Sequence, residues 1–394
     1  MSTSCQDRCG GRTDNGQKSV QKTSEPNLID ILGTLVSIDT ADPPGGEIEA
    51  ARYIAGVLEK AGLDYEIDEF EHRRANVLAR VKGQGTKPPL VFSAHIDTVP
   101  VGRQPWTTTP FSATISNGRM YGRGSADMKS GLAAMLVSAI DLSRGTEALS
   151  GDLILAFTAG ESSNCLGARR LVQKGSLADA GALLVSEPSS MGIIVAEMAV
   201  LWLRITARGR LGHVSGYSGV NAIDAMSDFI QSLRSAQLPH SNHPLLPAQT
   251  IRIGTISGGS AVNVTPDHCE AEVDVRLHPS VDPSEVIRIL TAVAGPNIEI
   301  EVSDFKPAVE TAPDHPFVVE CMSALEAATS APPAPEGVAY YSDATIYTAA
   351  HRTPFAIIGP GERGMSGQVD ESVELAQVGR AVSVYSNIAR RWLS

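Results

Sequence analysis

The residues best suited to chemistry in this chain are one histidine and four acids, set at the ends of hydrophobic runs. "VFSAHIDTVP" places His95 and Asp97 two apart on a strand, and so on one face. An imidazole that binds a metal usually donates its other ring N–H to a carboxylate, which fixes tautomer and orientation. Asp97 is a candidate for that role, directly or from one layer further out. "YGRGSADMKSG" sets Asp127 between a glycine-rich turn and a helix, where backbone N–H groups favour a carboxylate or another anion. "LLVSEPS" ends a strand in Glu187, and "GDLILAFTAGESSNC" ends another in Glu161, followed by Ser162. An acid at the tip of a buried strand is costly unless something uses it. Singly, each has an ordinary explanation: a structural histidine, a cap, an ion-pair partner. Their combination in chain order, at strand ends where α/β folds place their sites, is what changes that reading.

The elements that must position these groups alternate. Ile48, Ala51, Ile54 and Leu58 recur at helical spacing and Gly62 is a stop. "ANVLARVKG", "PLVFSAHID", "DLILAFTA" and "ALLVSEP" read as strands, and Met128 to Arg144 as an amphipathic helix. This is α/β order with a mostly parallel central sheet. Near Leu201 the character changes. "LWLRITARG", a helix from Asn221 to Ala236, "TIRIGTISGG", "CEAEVDVRLH", a helix from Pro283 to Ala294 and "NIEIEV" follow in the order β-α-β-β-α-β. That is the order of a ferredoxin-like sheet with two helices on one face. In "CEAEVDVRLH", Cys269, Ala271, Val273, Val275 and Leu277 face one way and the polar residues the other. Helix and strand alternation then resumes from His315 to a last helix at Glu371 to Leu393. Two domains are expected, one of residues 26–199 with 309–394 and one inserted at 200–308. Residues 1–25, polar and Gly/Ser-rich, read as disordered.

Bulk properties narrow the classes. The 394 residues carry Lys+Arg 32 against Asp+Glu 44, a net charge of −12. This balance argues against nucleic-acid or anionic-membrane binding, which need basic surface. No apolar run reaches the ~18 residues of a membrane span. The odd count of 5 cysteines (Cys5, Cys9, Cys165, Cys269 and Cys321), without framework spacing or a signal peptide, fits a reducing cytoplasm.

The succession H-x-D-x-V-P, G-R-G-x-x-D-M-K-x-G, T-A-G-E and S-E-P resembles the co-catalytic zinc metallopeptidase family of acetylornithine deacetylase, succinyl-diaminopimelate desuccinylase, aminoacylase and glutamate carboxypeptidase. "GRLGHVSG…GVNAI", "GGSAVNVTPDHCEAEVDVR", "YYSDATIY" and "IIGPG" are similar to later family segments. The resemblance implies a phosphorylase/hydrolase-like catalytic domain and a lid domain that dimerises. It implies His95, Asp127 and Glu187 as metal ligands, with Asp127 bridging in two-metal members, and Glu161 as general base beside Asp97. His213 would reach the partner subunit's site and stabilise an oxyanion. Asn263 and Arg276 would contact substrate, a carboxylate being one partner for Arg276.

The chain departs from that family pattern at two ligands. Where the family has paired acids, it has Glu161-Ser162; where the family has a histidine after the G-P-G turn, spacing gives Gly367. Both positions serve the same metal, so the second site reads as lost as a unit, unless Glu362, Gln368 or another residue replaces it. Met198 and Ala199 stand where many members carry a basic residue and glycine, so Met198 is either core or pocket. One divalent ion per chain is expected on His95, Asp127 and Glu187: zinc, manganese, iron or cobalt. The expected function is hydrolysis of an amide C–N bond in a small N-acyl amino acid, dipeptide or related molecule, by a cytoplasmic homodimer. The alternatives are hydrolytic deamination of an unusual C–N bond such as an aryl amine, and a non-catalytic dimeric binding protein.

Overall fold

The computed structural model describes residues 27–71, 73–146, 148–216, 220–239, 242–329 and 332–394. Cys5 and Cys9, and the expected disordered segment, lie outside them. Cys165, Cys269 and Cys321 are buried free thiols.

The larger sheet has nine strands among the described residues. Its order is Asp64–Phe70, Arg74–Val81, Leu153–Thr158, Leu90–His95, Ala182–Val185, Phe355–Ile357, Ile193–Glu197, Val309–Glu310, with Pro335–Val338 also pairing Ile193–Glu197. The parallel part is the middle. Leu90–His95 runs parallel to both Leu153–Thr158 and Ala182–Val185, and Phe355–Ile357 runs parallel to Ala182–Val185. The pairings of Asp64–Phe70 with Arg74–Val81, and of Arg74–Val81 with Leu153–Thr158, are antiparallel. The middle strands are buried along their whole length, as expected where helices cover both faces. Because they are parallel, their carboxyl ends lie on one edge, and His95, Glu161 and Glu187 follow from three adjacent ends.

Two helices differ from the sequence expectation. Lys129–Arg144 is buried well beyond the one apolar face expected of an amphipathic helix: Ser130, Gly131, Ala133, Ala134, Ser138 and Ala139 are buried along with its larger apolar residues. It is sandwiched between the sheet and the helices Leu28–Ser37 and Leu375–Leu393. Small residues permit that closeness. A Cβ on Gly131 would lie 1.8 Å from Ser186 Oγ, so only glycine lets this helix meet the strand end that carries Glu187. The last helix starts at Leu375 rather than Glu371, because Ser372–Glu374 pairs as a strand with Arg119–Tyr121.

The second sheet is antiparallel, ordered Thr250–Gly258, His268–Leu277, Ala199–Arg208, Ile298–Lys306. By chain position this is the second, third, first and fourth strand, the ferredoxin-like arrangement. Ala222–Ser235 and Pro283–Val293 cover one face, and a separate core forms there from Leu201, Leu203, Ile205, Met226, Val273 and Val286 among others. Asn221 caps the first of these helices, its side chain accepting from Ile223 N and Asp224 N. The alternation in His268–Leu277 is realised as read, with Cys269, Ala271, Val273, Val275 and Leu277 buried. The opposite face, with Trp202, Asp274 and Arg276, looks onto the strand ends of the first sheet. Met198, just before this sheet, is fully buried against Ala196, Leu246 and Ala339, which makes it core.

At the junction of the two sheets sits Glu197, fully buried. The Ser342 hydroxyl donates to its Oε1 at 2.6 Å, while Oε2 has no hydrogen-bond partner among the described residues. Burial raises its pKa to about 8, from an ordinary value of 4.5. The folded protein therefore holds this proton at pH values where the unfolded chain has lost it. Stability from this site falls as pH rises from about 4.5 towards about 8. Glu197→Gln keeps the acceptor and removes the titration, so it is expected to flatten the decline in thermal midpoint between these limits. An unchanged slope in pH-resolved melting would contradict the assignment.

Candidate metal centre

His95 ends its strand with Nδ1 2.9 Å from the backbone oxygen of Asp97. That carbonyl accepts the Nδ1 proton and leaves the Nε2 lone pair facing inward. Nε2 lies 3.1 Å from Asp127 Oδ1 and 3.8 Å from Glu187 Oε1. One ligand atom from each of His95, Asp127 and Glu187 falls within 4.8 Å of the others. Asp97 thus acts differently from the sequence expectation. Its carbonyl, not its carboxylate, orients the imidazole. The carboxylate instead accepts Glu161 N at Oδ1 and Ser162 N at Oδ2, both at 3.0 Å, and so fixes the turn that carries Glu161.

Asp127 is set by a second buried network. Glu371 Oε1 accepts from Ala126 N at 2.9 Å and Asp127 N at 3.1 Å. Glu371 Oε2 accepts from Arg123 Nη1 at 2.5 Å, and the same guanidinium donates to the carbonyls of Pro100, Gly367 and Gln368. One buried ion pair therefore ties the turn before Lys129–Arg144 to the turn before the last helix.

The electrostatics call for a cation. Burial and the charge of Asp127 raise the Glu187 carboxyl well above its usual range. Burial does the same to Glu161, with Asp97, Asp343 and Asp127 adding to it against the opposing pull of His95. Burial works against a charged His95, yet Glu187, Asp127 and Asp97 together raise it well above its ordinary value. Excess negative charge in a dry site thus favours a positive charge beside it. One imidazole and two carboxylates, with the far ring nitrogen anchored, suit a divalent ion, so the donor set fits one.

The two positions at which the chain departs from the family pattern look different. Ser162 and Gly367 both line the cavity. The Ser366 hydroxyl donates to Asp127 Oδ2, the oxygen turned away from His95. Gly367 has φ +71°, a conformation in which a side chain is strained. Among the described residues Glu362 is outside the ligand group, its Oε1 accepting from Arg119 Nη1 at 2.8 Å, and the Gln368 carbonyl accepts from Arg123.

These groups open into a cavity of about 1110 Å³ between the two sheets. His95, Asp127, Glu161 and Glu187 line one end; Trp202, Arg252, Asp274 and Arg276 line the other, with Leu246, Tyr340 and Tyr341 between. Arg276 reaches it, but its fork is engaged: Nε and Nη2 donate to Asp274 at 2.8 Å and Nη1 to Ala339 O at 2.8 Å. His213 and Asn263 do not line this cavity. Gly212–His213 pairs with Val264–Thr265, His213 is exposed with Nδ1 2.7 Å from Ser215 Oγ, and the Asn263 carbonyl accepts from Val214 N. Sequence reading passed over Trp202, Ser366 and Arg252. Trp202 was findable, since the inward alternation of Leu201, Leu203 and Ile205 turns it to the opposite face.

The peptidase family M20/M25/M40 matches residues 91–391. The chain is 28% identical over 403 residues to a probable succinyl-diaminopimelate desuccinylase of Staphylococcus epidermidis, covering 94% of this chain and 98% of that one. Among solved structures it resembles a metallo-carboxypeptidase of Sulfolobus solfataricus, with TM-score 0.76 and 19% identity over 92% of this chain and 97% of that one. It also resembles the YXEP protein of Bacillus subtilis, described as a dinuclear metal-binding peptidase, with TM-score 0.68 and 19% identity over 93% and 97%. Matched along most of its length, and with a cluster of one histidine and two carboxylates at its strand ends that could hold a metal ion, the chain belongs to the peptidase M20/M25/M40 family.

Proposed function

We propose that the protein is a one-metal hydrolase that cleaves the amide C–N bond of a small N-acyl amino acid or dipeptide. The observation that carries this is the pairing of a three-donor centre with Glu161, a buried carboxyl on a turn pinned by Asp97. A single ion is supported by Ser162 and Gly367 at the second-metal positions and by the Ser366 hydroxyl on the free oxygen of Asp127.

A divalent ion held by His95, Asp127 and Glu187 would supply Lewis acidity to the attacking water and the scissile carbonyl. Glu161 takes the proton from the water as the new C–O bond forms, then delivers it to the amine nitrogen as the C–N bond breaks. The products are a carboxylic acid and an amine. The oxyanion is stabilised by the partner subunit's His213, a contribution on the order of 3 kcal/mol. This makes the site complete only in a homodimer. The exposed apolar residues beside that histidine, Leu211 (62%), Val214 (55%) and Val262 (99%), support a covered lid edge. The buried free thiols support a reducing cytoplasmic setting.

The aromatic lining of Trp202, Tyr340 and Tyr341 favours one second reading, an aryl amine substrate. A panel of N-acyl amino acids and dipeptides separates the two. Release of acid and amine, lost with a chelator and restored by zinc or manganese, is expected. Silence across the panel with metal bound would favour the aryl amine.

A further inference from the structure

The turn that carries Glu161 is held at its two ends by different sheets. Asp97 pins its start from the first sheet, through Glu161 N and Ser162 N. Its far end is Asn164-Cys165, both with left-handed backbone, at φ +75° and +54°. Two such non-glycine residues in a row cost energy and persist only where the surroundings hold them. Cys165 N donates to the Glu161 carbonyl at 3.1 Å, which ties this far end back to the base.

The groups that hold it come from the second sheet. Lys306 ends the strand Ile298–Lys306, and its side chain is fully buried. Its ammonium donates to Asn164 Oδ1 at 3.2 Å and to the Asp304 carboxylate. Asp304 Oδ1 also accepts from Arg169 Nη2 at 3.3 Å, and Arg169 Nε donates to the Asn164 carbonyl at 2.7 Å. Asn164, Lys306, Asp304 and Arg169 thus close a ring that joins the second sheet to the segment after Glu161. The same Nζ lies 3.9 Å from the Trp202 ring centroid and 4.2 Å from that of Tyr341. A buried cation set between aromatic faces and a carboxylate is held firmly in place. Trp202 and Tyr341 line the cavity. One ammonium therefore touches both the cavity wall and the turn of the base.

We propose that Lys306 is a positioning residue for Glu161: it fixes the far end of the base's turn to the second sheet, so that turnover requires that sheet to be seated over the turn. The inference rests on the hydrolase reading above and deepens it. Lys306 touches no substrate and acts through Asn164. With Asp97 and Lys306 both engaged, Glu161 is held from two sides in the narrow geometry that proton transfer from water needs. Released at its far end, the turn keeps its bonds to Asp97, but Glu161 spends less time within reach of the water. The metal centre is spared, since no member of the ring belongs to the ligand group.

The test uses the metal-loaded full chain and N-acetyl-L-phenylalanine, with Lys306→Met, Lys306→Arg, Asn164→Gly and the double variant of Lys306→Met and Asn164→Gly. Methionine keeps an apolar stem against Trp202 and Tyr341 and removes the charge. Glycine adopts φ +75° without strain and removes the amide. Lys306→Met and Asn164→Gly are each expected to lower kcat by about 10- to 100-fold, with KM within about threefold and bound metal unchanged. Lys306→Arg should recover part of kcat. Both single changes break the same bond, so the double variant should be no slower than the slower of them. Wild-type kcat in Asn164→Gly, losses that multiply in the double variant, or a loss confined to KM overturns the proposal. If Lys306→Met does not fold, Asn164→Gly and hydrogen exchange at the Cys165 N–H decide. The same exchange measurement decides if the wild type does not turn the probe over, an outcome that fails the hydrolase reading for that probe alone. Exchange about 10-fold faster than in the wild type supports the coupling. Exchange at the wild-type rate overturns it.

Discussion

Glu161→Gln is expected to lower kcat by about 10²- to 10⁴-fold while leaving bound metal unchanged. The two effects separate because the groups involved are separate. The proposed ligand atoms come from His95, Asp127 and Glu187. The turn that carries Glu161 is held by its backbone N–H and that of Ser162 on Asp97, bonds that a side-chain change leaves intact. Glutamine matches the shape of the carboxyl but accepts no proton from water and returns none to the amine. Steady-state kinetics with elemental analysis of the same preparation checks this. A variant within about threefold of the wild type would remove Glu161 from the role of base.

Glu371→Gln is expected to cost about 3–5 kcal/mol of stability and to weaken metal binding together, because it breaks one half of a buried ion pair. Glu371 is fully buried, and Arg123 is 1% exposed. Removing the carboxylate leaves that guanidinium with three carbonyl partners and no anion. The amide adds a second problem. Its oxygen can serve either Arg123 or the N–H groups of Ala126 and Asp127, while its NH2 group then faces another donor. The loosened turn is the one that aims Asp127 at His95. Thermal unfolding and a zinc-affinity titration read both effects. A variant with wild-type midpoint and affinity would show that the network does not position the ligand.

The strand ends were legible because both-face burial writes itself as unbroken apolar runs, and an acid or histidine at the end of such a run has few bland explanations in combination. That logic brought out His95, Glu161 and Glu187 as candidates; a glycine-rich turn before a helix brought out Asp127, and the family resemblance together with spacing pointed to Ser162 and Gly367. The role of Asp97 was not legible. Whether a residue offers its carbonyl or its carboxylate depends on the local turn, which residue type does not encode. The start of the last helix was misplaced for a similar reason: Glu371 fits a helix N-terminus, but its carboxylate is taken by Arg123 and two backbone N–H groups. The burial of Lys129–Arg144 was hidden by its small residues, which add little to an apolar stripe yet permit close packing. The contacts of Lys306 were not legible, because Asn164, Trp202 and Tyr341 meet it only once the chain is folded.

The most direct test of the central claim is a metal titration of the stripped protein, reading bound ion and hydrolysis in the same samples. One divalent ion on His95, Asp127 and Glu187 predicts that both signals rise together and saturate at one ion per chain. Two tightly bound ions per chain, with turnover appearing only on the second, would contradict it.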